Sequence, residues 1–228
     1  MAAFTITAET SYLMPKIFLI PTVIVAIQSL SVIIALATAK PKWFFTLLLA
    51  AVAILLQCIA NALYPWQSTT SSTIVNICLT AEFLLLLFYI KKQLTKDMPS
   101  RTVLFIFQLF PLGLSSCWWY TNSLSSETAY PLLLHALLIA AGCLFFYDEI
   151  FDQPPDVPLV RYPPFWIVNG IFILCCMLMP AALCRRLTGF NMLPGNMAPV
   201  LQCAAYFSMF LIFIKALQCQ ISLKSVSL

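Results

Sequence analysis

Charge is scarce in this chain. Asp, Glu, Lys and Arg make up 9% of its 228 residues and hydrophobic residues 62%, whereas a soluble domain carries about 25% and about 45–50%. No water-soluble fold can bury so large an apolar excess, and disorder needs the opposite bias. Glycine is rare, at five residues, and neither a phosphate-cradling loop nor a collagen repeat is present. A single histidine, His135, excludes haem ligation by paired histidines and any H-E-x-x-H zinc site. The nine cysteines lie almost all in apolar runs without C-x-x-C spacing. They read as small polarizable packing residues, not as a disulfide framework or zinc site. A net charge of +4 is too small and too scattered for nucleic acid. The sequence therefore predicts no cofactor, no metal and no nucleic-acid partner, and it predicts a lipid bilayer as the medium.

What the chain does have is long apolar runs. Crossing a hydrocarbon core of about 30 Å takes about 20 apolar residues in a helix. Runs of that kind lie at 17–39, 43–64, 73–90, 102–121, 130–147, 164–184 and 197–217, the last interrupted by Lys215. They are too long and too evenly apolar for barrel strands, and helices satisfy every backbone group inside lipid. The expected fold is all-α: a polytopic membrane protein with one membrane domain, a seven-transmembrane-helix bundle. Ala37-Thr38-Ala39 has the look of a signal cleavage site. The run before it exceeds the roughly 7–15 residues of a signal peptide and lacks a basic lead, so the first helix is read as retained.

Loop charges set the orientation, since Lys and Arg concentrate in cytoplasmic loops. With the N-terminus outside and the C-terminus cytoplasmic, Lys40, Lys42, Lys91, Lys92, Lys96, Arg101, Arg161, Lys215 and Lys224 fall inside. Only Lys16, Arg185 and Arg186 fall outside. The longest connection, 148–163, reads D-E-I-F-D-Q-P-P-D-V-P-L-V-R-Y-P. Its prolines keep it from being helical throughout, and it serves either as a solvated connector or as a docking surface for a partner.

Polar side chains inside a bilayer are costly unless they face the bundle interior. Nearly every run has one: Gln28, Gln57 with Asn61, Asn76 with Glu82, Gln108, His135, Asn169, and Gln202 with Lys215. At about 1.5 Å per residue, Glu82 falls near the midplane, and Asn61, Asn76, His135 and Gln202 fall toward the outer face. This clustering suggests an outward-facing polar pocket with Glu82, Asn76, Asn61, His135, Gln57, Gln202 and Trp119 as ligand-binding residues. Trp118, Tyr64 and Tyr206 would edge it. The alternative is that Asn and Gln serve as interhelical hydrogen-bond glue and the aromatics as an interfacial belt. A charge at the depth of Glu82 costs about 2.5–3.5 kcal/mol on insertion scales, so Glu82 must be protonated, paired or wetted. It is a candidate proton carrier or counter-charge, with His135 as candidate partner; a structural hydrogen bond to a neighbouring helix is the competing expectation. Pro111 and Pro180 are expected to bend their helices.

One histidine and one mid-membrane acid do not supply the convergent groups of an intramembrane enzyme, and no catalytic residue is assigned. Lys215 lies roughly 12 Å from its span's midpoint, closer to the interface than a Schiff-base lysine would sit, and long enough to snorkel. Transporters show internal repeats and matching broken helices, which are not seen here. The expected function is a sensor or signal relay with a cytoplasmic or membrane signalling partner. A small-solute or proton-coupled transporter is the first alternative, and a lipid-acting enzyme using Glu82 and His135 the second.

The Glu-bearing segment T-A-E-F-L-L-L-L-F-Y at 80–89, the Pro-rich connector and P-P-F-W-I-V-N-G at 163–170 resemble small uncharacterised seven-helix bacterial inner-membrane proteins. The resemblance implies an inner-membrane location and a sensory or signalling role, with Glu82 and Trp166 at the matching positions. It implies no particular ligand.

Overall fold

The computed structural model describes residues 23, 25–34, 44–63, 69–94, 106, 113, 129–152, 154–189 and 197–226. Among them every regular element is helical. In chain order these are α1 (Val25–Ile34), α2 (Phe44–Leu63), α3 (Thr69–Gln93), α4 (Ala129–Asp152), a 3-10 turn (Leu159–Arg161), α5 (Pro163–Gly189) and α6 (Met197–Val226). Proline marks three of the starts: Pro131 in α4, Pro163 and Pro164 in α5, and Pro199 in α6 all sit in a first turn. There the missing N–H has no intrahelical partner to lose. The first amide after the α5 prolines, that of Phe165, reaches back to the Tyr162 carbonyl at 3.2 Å.

Four helical stretches, Thr73–Gln93, Leu132–Asp152, Pro163–Cys184 and Val200–Ser222, are long and apolar enough to cross a membrane. This fits the membrane protein expected from composition. Two further apolar stretches, Val25–Ile34 and Thr46–Leu56, are shorter over their described residues. Apart from Ile106 and Gly113, both helical, the expected span at 102–121 lies outside the described residues. The helices outrun the apolar runs: α4 continues to Asp152 and α6 to Val226, where the runs stop at 147 and 217. Charged side chains mark the edge of the hydrocarbon, but a helix satisfies its own backbone in headgroups and water just as well. The connector expected from 148 accordingly leaves the helix only after Asp152. The helix α5 is continuous across Pro180, which is exposed.

Each helix buries one stripe and exposes the opposite one, as a 3.6-residue period requires. On α5, Ile167, Ile171, Leu174 and Leu178 are buried while Ile173, Pro180 and Leu183 face outward. The exposed apolar stripes are the surface that acyl chains would cover. The central element is α3, with 56% of its span buried against 39% for α6; it packs on α2, α4 and α5. The most extensive interface joins α5 and α6. There Gly170 admits the Phe213 ring: a Cβ at position 170 would meet it at 3.1 Å and the Met209 carbonyl oxygen at 3.3 Å. Small residues at helix crossings let backbones approach where no hydrophobic force drives association in lipid.

Contacts also fix helix directions. His135, early in α4, stacks on Phe83 in mid-α3. Glu149, late in α4, lies within electrostatic reach of Tyr162, which is within reach of Tyr89 late in α3. Thus α3 and α4 run parallel. The helix α5 returns antiparallel to α4, with Tyr147 bonded to Asn169. The direction of α6 matches α3, with Tyr206 at Glu82 and Cys219 at the connector.

Candidate functional site

Glu82 lies in the middle of the α3 span and is 3% exposed. Tyr206 of α6, equally buried, donates its hydroxyl to Glu82 Oε2 at 3.0 Å. The buried thiol of Cys175 brings α5 within electrostatic reach of the same carboxyl, and Cys78 does so one turn earlier on α3. An acid in this position needs a donor, because lipid offers none, and the tyrosine supplies it across the helix interface.

The sequence-predicted site residues divide between two faces of α3. Glu82 shares one face with Cys78 and, two turns on, Tyr89. Asn76, Thr80, Phe83 and Leu87 recur at four- and seven-residue intervals on the other, about 150° away at 3.6 residues per turn. That second face meets α4: the His135 ring, buried, lies 4.3 Å from the Phe83 ring at an interplanar angle of 17°. His135, the expected partner of Glu82, instead stacks on the residue beside it, since neighbours in a helix point to different sides. Asn76 is buried on the Phe83 face two turns earlier, and its backbone carbonyl accepts the Thr80 hydroxyl at 2.9 Å. Gln202 is half-buried on α6, one turn before Tyr206. Gln57 and Asn61 belong to α2, but their side chains are outside the described residues, as are Trp119, Trp118 and Tyr64 altogether. Lys215, counted among the membrane-embedded polar groups, lies on the exposed face of α6.

A second polar layer, which the sequence reading did not assemble, lies about 10 Å further along α3. Tyr89 and Glu149 are buried there, Tyr162 is half-buried between them, and Tyr147 donates to Asn169 Oδ1 at 2.6 Å. Burial, and then the Glu149 carboxylate, push the Tyr162 phenol above its ordinary value of 10.0. The connector is pinned through one carbonyl: Val160 O accepts Trp166 Nε1 at 2.8 Å and Cys219 Sγ at 3.4 Å. Backbone bonds from Arg161 to Pro158 and from Tyr162 to Leu159 close the turn. Trp166, singled out by resemblance, thus clamps the connector. The signal for this layer was a tyrosine at each apolar-run border, Tyr89, Tyr147 and Tyr162, with Asp148 and Glu149 directly after Tyr147, which reads as a membrane border until helix directions are known.

Among the described residues, no three His, Cys, Asp or Glu side chains gather as metal ligands. What the arrangement offers chemically is a buried carboxyl with a phenolic donor, linked along α3 to a clamped connector. No family model matches the sequence, and neither curated proteins nor solved structures give a match.

Proposed function

We propose that the chain is a seven-helix inner-membrane signal relay, N-terminus outside and C-terminus cytoplasmic, in which Glu82 senses and the connector reports. The observation that carries this reading is the Tyr206–Glu82 bond on the same helix that, two turns on, brings Tyr89 up to Tyr162 of the clamped connector. A proton or cationic ligand gained at Glu82 changes what Tyr206 donates to, which biases the α3–α6 contact. A packed helix passes such a shift on as a rigid element.

The seven-helix count draws support from the parallel course of α3 and α4. Parallel neighbours in a bilayer need an odd number of crossings between them, and 95–128 contains one apolar run of spanning length. The twenty residues of α2 cover about 30 Å, enough for a span of their own. Orientation draws support from Lys91, Lys92 and Arg161, which end α3 and the connector at one end of the bundle and so favour the cytoplasmic side.

The test is amide hydrogen exchange of the full chain in nanodiscs. Glu82→Gln should change exchange at Arg161 and Tyr162 at least several-fold, while unchanged exchange there would end the relay reading. Reporter fusions at both termini test the orientation. A second reading, proton-coupled transport, is favoured by a second buried carboxyl, Glu149, on the neighbouring helix α4. Proton flux in liposomes that disappears in Glu82→Gln would establish it instead.

A further inference from the structure

Phe207, Leu211, Ile214, Lys215 and Gln218 lie along one face of α6, all of them exposed, at the spacing of a single helical stripe. Up to Ile214 the described exposed residues of this stripe are apolar, and its first polar groups are Lys215 and Gln218. Tyr206 marks mid-membrane on α6, because it meets Glu82 near the centre of the α3 span. Nine residues on, Lys215 lies about 13–14 Å from that level at about 1.5 Å per residue. Half of a hydrocarbon core of about 30 Å is about 15 Å. The lysine stem therefore crosses the last layer of hydrocarbon, and its ammonium reaches the phosphates beyond.

The groups packed around this face leave the charge without a counter-ion. Lys91 and Lys92, at the same end of the bundle, sit in the last turn of α3 and complement its helix dipole. Lys215 has no such role, lying eleven residues before the end of α6. The last acidic residue of the chain is Asp156, so neither α6 nor α5, its most extensive partner, holds a carboxylate. The connector turn, which also packs on α6, contributes Arg161, a second exposed cation. The acids of this end are Asp156, ahead of that turn, and Asp148, Glu149 and Asp152 on α4, which packs on α3 and α5.

The unmatched cation calls for an anion, and the stripe beside it identifies the carrier. Helix seams in lipid are built on small residues that let backbones approach, whereas Phe207, Leu211 and Ile214 are large and exposed. Acyl chains suit such a face, and a phospholipid brings them together with a phosphate at the depth of Lys215. An anionic headgroup leaves that phosphate without a cation of its own, which a choline headgroup does not.

We propose that this end of the exposed α6 face seats one anionic phospholipid, its phosphate held by Lys215 and the Gln218 amide and its acyl chains lying along Leu211 and Phe207. The site goes beyond the relay reading and depends neither on Glu82 nor on the orientation of the bundle.

The test purifies the full chain in mixed micelles with equal phosphatidylglycerol and phosphatidylcholine and counts retained lipids by native mass spectrometry. The expected result is one retained phosphatidylglycerol. Its preference over phosphatidylcholine should fall about fivefold in Lys215→Gln, the contribution of one cation near an anionic surface, and be kept in Lys215→Arg. Lys92→Gln should leave it unchanged. Inorganic phosphate should not displace the lipid, since it lacks acyl chains, and a photoreactive phenylalanine at Leu211 in cells should give lipid adducts. Equal retention of the two lipids, no fall in Lys215→Gln, or an equal fall in Lys215→Arg or Lys92→Gln overturns the proposal. So does displacement by inorganic phosphate, which would mean a free-anion site, or a protein adduct at position 211, which would give the face to an acidic partner helix.

Discussion

The Glu82 layer and the connector layer lie about 10 Å apart along α3, yet they satisfy their polar groups by different means. Around Glu82 the carboxyl is buried, a buried tyrosine from α6 supplies the donor, and the Cys78 and Cys175 thiols lie within electrostatic reach. Around the connector, the groups are a mixture of buried and half-exposed. They are held by aromatic edges, such as Tyr147 against Phe172 at 5.9 Å and Phe165 against Trp166 at 5.8 Å, and by a carbonyl with two donors. In the interior a missing partner leaves an orphan, because water is not there to replace it. Near the membrane border, water and headgroups provide a substitute. The difference predicts that equivalent changes in the two layers have unequal consequences.

The largest effect should come from the crossing that lies between them. Gly170→Leu forces side-chain volume against Phe213 and the Met209 carbonyl, parting α5 from α6. A loss of about 3 kcal/mol is expected in reversible unfolding from mixed micelles, and both layers should loosen together. Gly170→Ala needs neighbours to give by only a few tenths of an ångström and should cost about 1 kcal/mol.

Next comes the direct comparison. Tyr206→Phe orphans a buried carboxyl oxygen and should cost about 1–2 kcal/mol. Tyr147→Phe removes the half-buried bond to Asn169 and should cost about 0.5 kcal/mol. Equal costs would erase the distinction between an interior and a border layer.

Smaller still is the connector clamp. Trp166→Phe removes one of two donors to Val160 and should leave global stability within about 0.5 kcal/mol. It should, however, speed amide exchange at Arg161 and Tyr162, a local opening rather than a global one. The smallest effect concerns pH. The folded Tyr162 phenol titrates above its unfolded value of 10.0, so its contribution is complete below pH 10 and is lost as pH rises through the folded value. Stability should decline slightly above pH 10, and Tyr162→Phe should flatten part of that slope.

Much of this architecture was legible in the letters because lipid makes composition nearly sufficient: an apolar run of membrane length has to be a helix. The apolar runs beginning at 130, 164 and 197 put three helix starts within a residue of where the structure has them. Helix ends were less legible, since the charges at Asp148 and Lys215 mark where hydrocarbon stops and not where hydrogen bonding does. Depth arithmetic put Glu82 and Tyr206 on the same list but did not pair them. Pairing depends on which helices are neighbours and on the facing angle, and a span carries little rotational signal when apolar residues surround it. The same blindness made His135 the expected partner of Glu82, although the ring faces Phe83, one residue and about 100° away. The Tyr89–Tyr162–Glu149 layer was hidden for another reason: its members come from three separate segments that meet only because α3 and α4 run parallel.

The most direct measurement is a double-mutant cycle between Glu82→Leu and Tyr206→Phe, read as unfolding free energy in one micelle composition. A bond joining α3 to α6 through these two side chains predicts a coupling of about 0.6–1.7 kcal/mol, the upper range for hydrogen bonds between membrane helices. Single-variant effects that simply add, within about 0.3 kcal/mol, would mean that the two groups do not meet and that the interior layer described here does not hold the bundle together.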